Sequence, residues 1–129
     1  MSPKPKIMVV EDNIDEVQLI KMILEPEGYE VITTLNGKEA KEKIKEGGID
    51  LIVLDVMMPE MDGFAFCSWV RKSEDYKDIP VILLTGVAER IRDTKYPLDG
   101  VLRADANDYL EKPVKPEVLL DVIAKLLKK

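Results

Sequence analysis

Short runs of apolar residues that each stop at a polar or charged residue constrain this chain most. Ile7, Met8, Val9 and Val10 stop at Glu11 and Asp12. Leu51, Ile52, Val53 and Leu54 stop at Asp55, and Val81, Ile82, Leu83 and Leu84 stop at Thr85. A strand with one wet face alternates apolar and polar residues. A strand apolar throughout is covered on both faces, as in a parallel sheet sandwiched between helices. The chain has 129 residues, 46% of them hydrophobic and 34% charged, which suits one globular domain over 1–129 with a single fold.

Between these runs lie helical patterns. Asp12 or Asn13 caps a helix reaching about residue 25, with Val17, Ile20, Ile23 and Leu24 on one face and Pro26 and Gly28 ending it. Residues 29–33 read as a second strand. Asn36 and Gly37 form a turn or cap before a charged helix that turns Ala40 and Ile44 inward, and Gly47 and Gly48 stop it. A further helix is expected over about 64–72, with Cys67 half-buried on it. A short fifth strand at 109–110 ends at Lys112 and Pro113. The last helix spans about 116–127, with Val118, Leu119, Val122, Ile123 and Leu126 as its apolar stripe. The stretch 87–107 is polar and contains Pro97 and Gly100, which argues against one long helix there. Five βα repeats predict an α/β, doubly wound, parallel five-stranded sheet.

Composition excludes several functions. The chain has no histidine, so imidazole cannot serve as base, metal ligand or phosphate carrier. Its one cysteine, Cys67, rules out an internal disulfide and is expected to have no redox role. The net charge of −6 disfavours direct nucleic-acid binding and anionic membranes. Residues 1–6 lack the apolar core of a signal peptide and no run approaches membrane-spanning length, so a cytoplasmic protein is expected.

In open parallel sheets, ligands bind at the carboxyl ends of the strands, near the point where strand order reverses. Those ends hold Glu11, Asp12, Asp55, Thr85 and Lys112. If the strand order is 2-1-3-4-5, Asp12 and Asp55 face one another across that point. Carboxylates so placed repel unless a cation intervenes, and Mg²⁺ prefers hard oxygen ligands with several retained waters. Asp12, Asp55 and a backbone carbonyl just after the third strand form a suitable set. Asp55 then acts as nucleophile toward a phosphoryl group, with Lys112 pairing its charge and Thr85 donating a hydroxyl hydrogen bond. Each residue alone has a plainer reading: Asp55 as a turn residue, Glu11 and Asp12 as a cap, Lys112 as a surface lysine, Thr85 as a strand former. The convergence of complementary groups on one sheet edge favours the chemical reading.

The segments KIMVVEDN, DLIVLDVMMPEMDGF, IPVILLTG and YLEKPV resemble the response-regulator receiver domains of two-component signalling, in order and with similar spacing. The resemblance implies the CheY-like, flavodoxin-like fold with strand order 2-1-3-4-5. It implies that Glu11 and Asp12 are the acidic pair supporting Mg²⁺, that Asp55 accepts the phosphoryl group and that Met57 offers its backbone carbonyl to the metal. Thr85 is then the switch hydroxyl, Tyr109 the switch aromatic and Lys112 the phosphate-pairing lysine, with a cis bond before Pro113. The implied donor is a phosphohistidine on a sensor histidine kinase or a histidine phosphotransfer protein, and the implied output is a remodelled surface for a downstream protein target. Such a chain is not an enzyme beyond its own phosphorylation and dephosphorylation, and it stands alone or belongs to a longer protein.

Other classes fit less well. A phosphatase of the haloacid dehalogenase type needs a second aspartate where Met57 stands. A flavin binder needs a phosphate cradle where Glu11 and Asp12 would repel phosphate. A receiver fold kept only as a phosphate-independent interaction module is disfavoured by the full set of Asp12, Asp55, Thr85 and Lys112.

The chain departs from the family pattern at Glu11, where aspartate is common, at Asp105, where glycine is common, and in the longer stretch between Thr85 and Lys112. Met57 and Val87 occupy the two positions that tune acyl-phosphate hydrolysis in the family. Both are apolar here, so neither orients an attacking water. A long-lived phosphoryl group is therefore expected; its loss within seconds in the presence of Mg²⁺, followed by intact mass, would contradict this.

Overall fold

A computed structural model describes residues 4–55, 63–85 and 106–128, apart from the side chains of Phe64, Thr85 and Tyr109. Five strands, β1 Lys6–Val10, β2 Glu30–Thr34, β3 Leu51–Asp55, β4 Val81–Thr85 and β5 Asp108–Glu111, form one sheet. The order is β2-β1-β3-β4-β5 and every pairing is parallel, in agreement with the sequence expectation. Four helices lie among the described residues: α1 Ile14–Leu24, α2 Gly37–Ile44, α3 Gly63–Lys72 and α4 Pro116–Leu127.

Side chains alternate across a strand, so each apolar run feeds two cores at once. Met8, Val10, Ile52, Leu54, Val81 and Leu83 face Ala40 and Ile44 of α2 and Phe66, Cys67 and Val70 of α3. Ile7, Val9, Leu51, Val53, Ile82 and Leu84 face Ile20 and Leu24 of α1 and Leu119 and Ile123 of α4. The helices thus cover the sheet in two pairs, and all five residues of β3 are buried.

Local signals set the helix ends. The Asn13 side chain accepts from the Glu16 N–H at 3.1 Å, and the Asn36 side chain accepts from the Glu39 N–H at 2.8 Å. The Glu39 carboxylate in turn accepts the Leu35 N–H, so this end of α2 is held from both directions. Gly28, Gly47 and Gly48 take positive φ beyond α1 and α2, where other residues would be strained.

The structure corrects four expectations in detail. Beyond α1 the chain makes one 3₁₀ turn, Glu25–Glu27, which tolerates Pro26 near its start. β2 begins one residue later than expected and extends to Thr34, whose buried hydroxyl donates to the Val9 carbonyl. Cys67 is fully buried rather than half-buried. Val118 is 40% exposed; the buried stripe of α4 centres on Leu119 and Ile123, with Leu120, Val122, Leu126 and Leu127 at its margins. A stripe read from spacing alone does not say which margin turns to solvent. Within the stretch 87–107, residues 87–105 lie outside the described residues.

The central strand carries the packing. Ile52→Ala removes a fully buried side chain and is expected to cost about 2–5 kcal/mol, whereas Met22→Ala, at a position 70% exposed, should change stability by under about 0.5 kcal/mol. Urea unfolding of the two variants checks this, and equal losses would contradict the assignment of the core.

Candidate functional site

Register brings the strand ends together. Val10 pairs with Leu54, so Glu11 comes level with Asp55 on the neighbouring strand. Asp55 pairs with Leu84, and Thr85 with Glu111, so the backbones of Thr85 and Lys112 reach the same sheet edge. β1 and β3 lie side by side where strand order reverses, the position at which open parallel sheets bind ligands.

Glu11, Asp12 and Asp55 each offer a carboxylate oxygen, and these oxygens lie within 4.8 Å of one another. Glu11 is 1% exposed and Asp55 4%, whereas Asp12 is exposed. The Lys112 ammonium stands 3.1 Å from Glu11 Oε1 and 3.4 Å from Asp55 Oδ2. The peptide bond between Lys112 and Pro113 is cis, as the resemblance implies.

The backbone around Glu11 is held from two sides. Its N–H donates to the Thr34 carbonyl at 3.1 Å, and its Oε2 accepts the Asn13 N–H at 3.2 Å. Among the described residues Oε1 accepts no aligned hydrogen bond, and its approach to Lys112 is a charge contact. A buried carboxylate oxygen in that condition suits a hard cation or its water.

Electrostatics point the same way. Burial, then the nearby Asp55 charge, pushes the Glu11 carboxyl up to about 7, although Lys112 and the Asn13 N–H pull it down. For Lys112, burial works against the ammonium, but Asp55 and Glu11 together outweigh it and hold the lysine above its ordinary value. Carboxylates at such separations repel by about 3–4 kcal/mol per pair at an effective dielectric near 20. Among the described residues one lysine faces three carboxylates, which it cannot offset. A divalent ion with hard oxygen ligands can, so the donor set fits Mg²⁺.

Of the residues expected at the site, the structure brings together Glu11, Asp12, Asp55 and Lys112. Thr85 ends β4 and Tyr109 lies within β5, but their side chains fall outside the described residues, and so does Met57 altogether. Sequence reasoning missed the direct pairing of Glu11 with Lys112. It also missed the second task of Asn13, which caps α1 with its side chain and orients Glu11 with its N–H. The spacing of two between Glu11 and Asn13 was the available signal.

Comparison with known proteins agrees with this geometry. A family model described as the response regulator receiver domain matches residues 7–124. The chain is 39% identical over 129 residues to a probable transcriptional regulator ycf27 of Cyanophora paradoxa, covering 98% of this chain and 49% of that protein. It is 32% identical over 121 residues to the polar-differentiation response regulator DivK of Brucella anthropi, covering 94% of each. The chain therefore spans about half the length of the ycf27 relatives and nearly all of the shorter one. Among solved structures, it is similar to the signal receiver domain of a signal transduction histidine kinase from Syntrophus aciditrophicus, with a TM-score of 0.82 and 39% identity over 95% of this chain and 89% of that one. It is also similar to the response regulator protein TrrA from Thermotoga maritima in complex with Mg(2+)-BeF, with a TM-score of 0.80 and 33% identity over 95% of this chain and 99% of that one.

The raised Glu11 sets a pH dependence for the metal-free protein. A carboxyl raised from an ordinary 4.5 to about 7 favours the folded state while both forms are protonated. That contribution is present below pH 4.5 and is lost as pH rises through about 7. In chelator, wild type should lose stability between pH 5 and pH 7.5 relative to Glu11→Gln. Urea midpoints that shift in parallel for the two proteins would contradict the burial argument.

Proposed function

The chain belongs to the response regulator receiver domain family, and on that premise we propose that Asp55 accepts a phosphoryl group in a Mg²⁺-dependent transfer that switches the domain's surface for signalling. The observation that carries this reading is Lys112 placed within ion-pair distance of both Glu11 and Asp55, at a carboxylate cluster on the switch point of the sheet. The lysine marks where a phosphoryl oxygen would be neutralised, and Asp55 is the carboxylate nearest the middle of the sheet edge.

Asp55 attacks the phosphorus in line. The new bond joins a carboxylate oxygen to phosphorus, and the bond from phosphorus to the donor breaks. The donor is a phosphohistidine on a sensor histidine kinase or a histidine phosphotransfer protein, and its imidazole nitrogen leaves with the electron pair. Lys112 pairs with the incoming charge, relieving the repulsion between phosphoryl oxygens and the carboxylates. Glu11 and Asp12 would hold Mg²⁺ with Asp55 and the Met57 carbonyl. When bound, the ion supplies charge neutralisation that Lys112 alone cannot. Thr85 and Tyr109 serve as the switch pair that reports the modification to a downstream protein. This is self-modification, so the chain is not an enzyme toward other substrates. The TrrA structure with Mg(2+)-BeF supports the metal assignment by similarity.

Among the described residues no helix is long and apolar enough to cross a membrane. The net charge of −6 supports protein partners over direct nucleic-acid contact.

Intact mass after incubation with Mg²⁺ and a small acyl phosphate tests the reading. Wild type should gain one phosphoryl group and Asp55→Asn none, and Lys112→Ala should slow uptake about a hundredfold. No gain in wild type, with Mg²⁺ binding shown by calorimetry, would instead make this a phosphate-independent interaction module.

A further inference from the structure

Lys112 directly follows β5, a four-residue strand that stands last in the strand order and pairs with β4. A slip of one residue along that partner would move Lys112 by about 3.3 Å and turn each β5 side chain to the other face. A contact that brackets the start of so short a ladder adds directly to holding its register.

Asn107, immediately before β5, makes that contact. Its N–H donates to the Val81 carbonyl at 2.9 Å, and its side-chain Oδ1 accepts the Val81 N–H at 2.9 Å. Both polar backbone groups of the first β4 residue are thus bound by one asparagine. The same Oδ1 accepts a charge-assisted hydrogen bond from Arg71 Nη2 at 2.5 Å. Arg71 sits in the last turn of α3, and its Nη1 donates to the Lys77 carbonyl at 2.9 Å and the Ile79 carbonyl at 2.8 Å. One planar guanidinium therefore ties the end of α3, the connection into β4 and the start of β5 together. A lysine, with a single ammonium, cannot reproduce that fork.

We propose that Arg71, acting through Asn107, is a positioning residue for Lys112: the pair fixes the register of β5 on β4 at one end and so sets the ammonium beside Asp55 at the other. The kinetic consequence rests on the phosphoryl-transfer reading above, whereas the register does not. Asn107 is exposed, so the latch adds little to global stability; its effect is local. Glu11, Asp12 and Asp55, which would hold Mg²⁺, stand on or beside β1 and β3, so the oxygen donors stay in place without the latch, while an ammonium displaced from Glu11 and Asp55 competes less with the ion.

The test compares wild type, Asn107→Ala, Arg71→Ala and Asn107→Asp, which keeps an acceptor for both donors. Hydrogen exchange is followed at 108–111 and across β1 and β3, together with the ¹⁵Nζ resonance of Lys112, Mg²⁺ titration, and phosphoryl uptake from a small acyl phosphate at saturating Mg²⁺. The two alanine variants should exchange faster at 108–111 but not across β1 and β3, shift the Lys112 resonance, and bind Mg²⁺ at least as tightly as wild type. They should also take up phosphoryl roughly ten- to a hundredfold more slowly, the penalty expected for small misplacement of a catalytic group. Asn107→Asp should restore all of these. Unchanged exchange at 108–111, an unmoved Lys112 resonance, or loss of protection spread equally over β1, β3 and β5 would overturn the proposal. If wild type takes up no phosphoryl group the functional reading fails, while exchange and the lysine resonance still decide the latch.

Discussion

Two buried carboxylates, Glu11 and Asp55, share the single ammonium of Lys112 at the end of an otherwise apolar sheet. Among the described residues negative charge is in excess there, because Asp12 adds a third carboxylate from the solvent side. Buried ion pairs contribute little net stability once desolvation is counted. Burial instead pushes Glu11 up to about 7, which means that the folded chain holds this carboxylate against its preference. An arrangement that costs stability and converges hard oxygens on one point is suited to binding a cation.

The core makes the imbalance sustainable. β3 is buried over its whole length, and among the described residues a pair of helices packs on each face of the sheet. Parallel strands all present their carboxyl ends on one side, so groups far apart in sequence arrive together without a dedicated scaffold. The register then adjusts height: Val10 beside Leu54 lifts Glu11 level with Asp55. Thr34 closes the arrangement on the β2 side, its carbonyl receiving the Glu11 N–H and its hydroxyl donating to Val9.

What was legible in the sequence follows from range. All-apolar runs fixed the inner strands within a residue, because burial on both faces leaves no other pattern. Asn13 and Asn36 were legible as caps because capping is a contact over three residues. Asp12, Asp55 and Lys112 were legible as a site through their common place at strand ends. The Glu11–Lys112 pair was not, since two strands, β3 and β4, lie between β1 and β5, and only side-chain reach decides which carboxylate the lysine meets. Arg71 was equally silent. An arginine in the last turn of a helix favours the helix dipole wherever it points, and its three acceptors lie on two later segments.

The two ends of the sheet divide the work of folding and chemistry. At the carboxyl end the groups repel, so they cannot be what aligns the strands. Polar fasteners at the amino end serve every strand pair. The Lys6 N–H donates to Asp50 Oδ2 at 2.8 Å while the Asp50 N–H returns to the Lys6 carbonyl at 2.8 Å, which sets β1 against β3. The Glu30 N–H donates to the Pro5 carbonyl, the Ile52 N–H to the Pro80 carbonyl, and Asn107 brackets Val81. Each neighbouring pair of strands is thus pinned where it begins. Strands pinned at one end hold register at the other, because slipping requires every ladder bond between them to break together. The carboxyl edge can then carry a cluster of like charges that disfavours its own assembly.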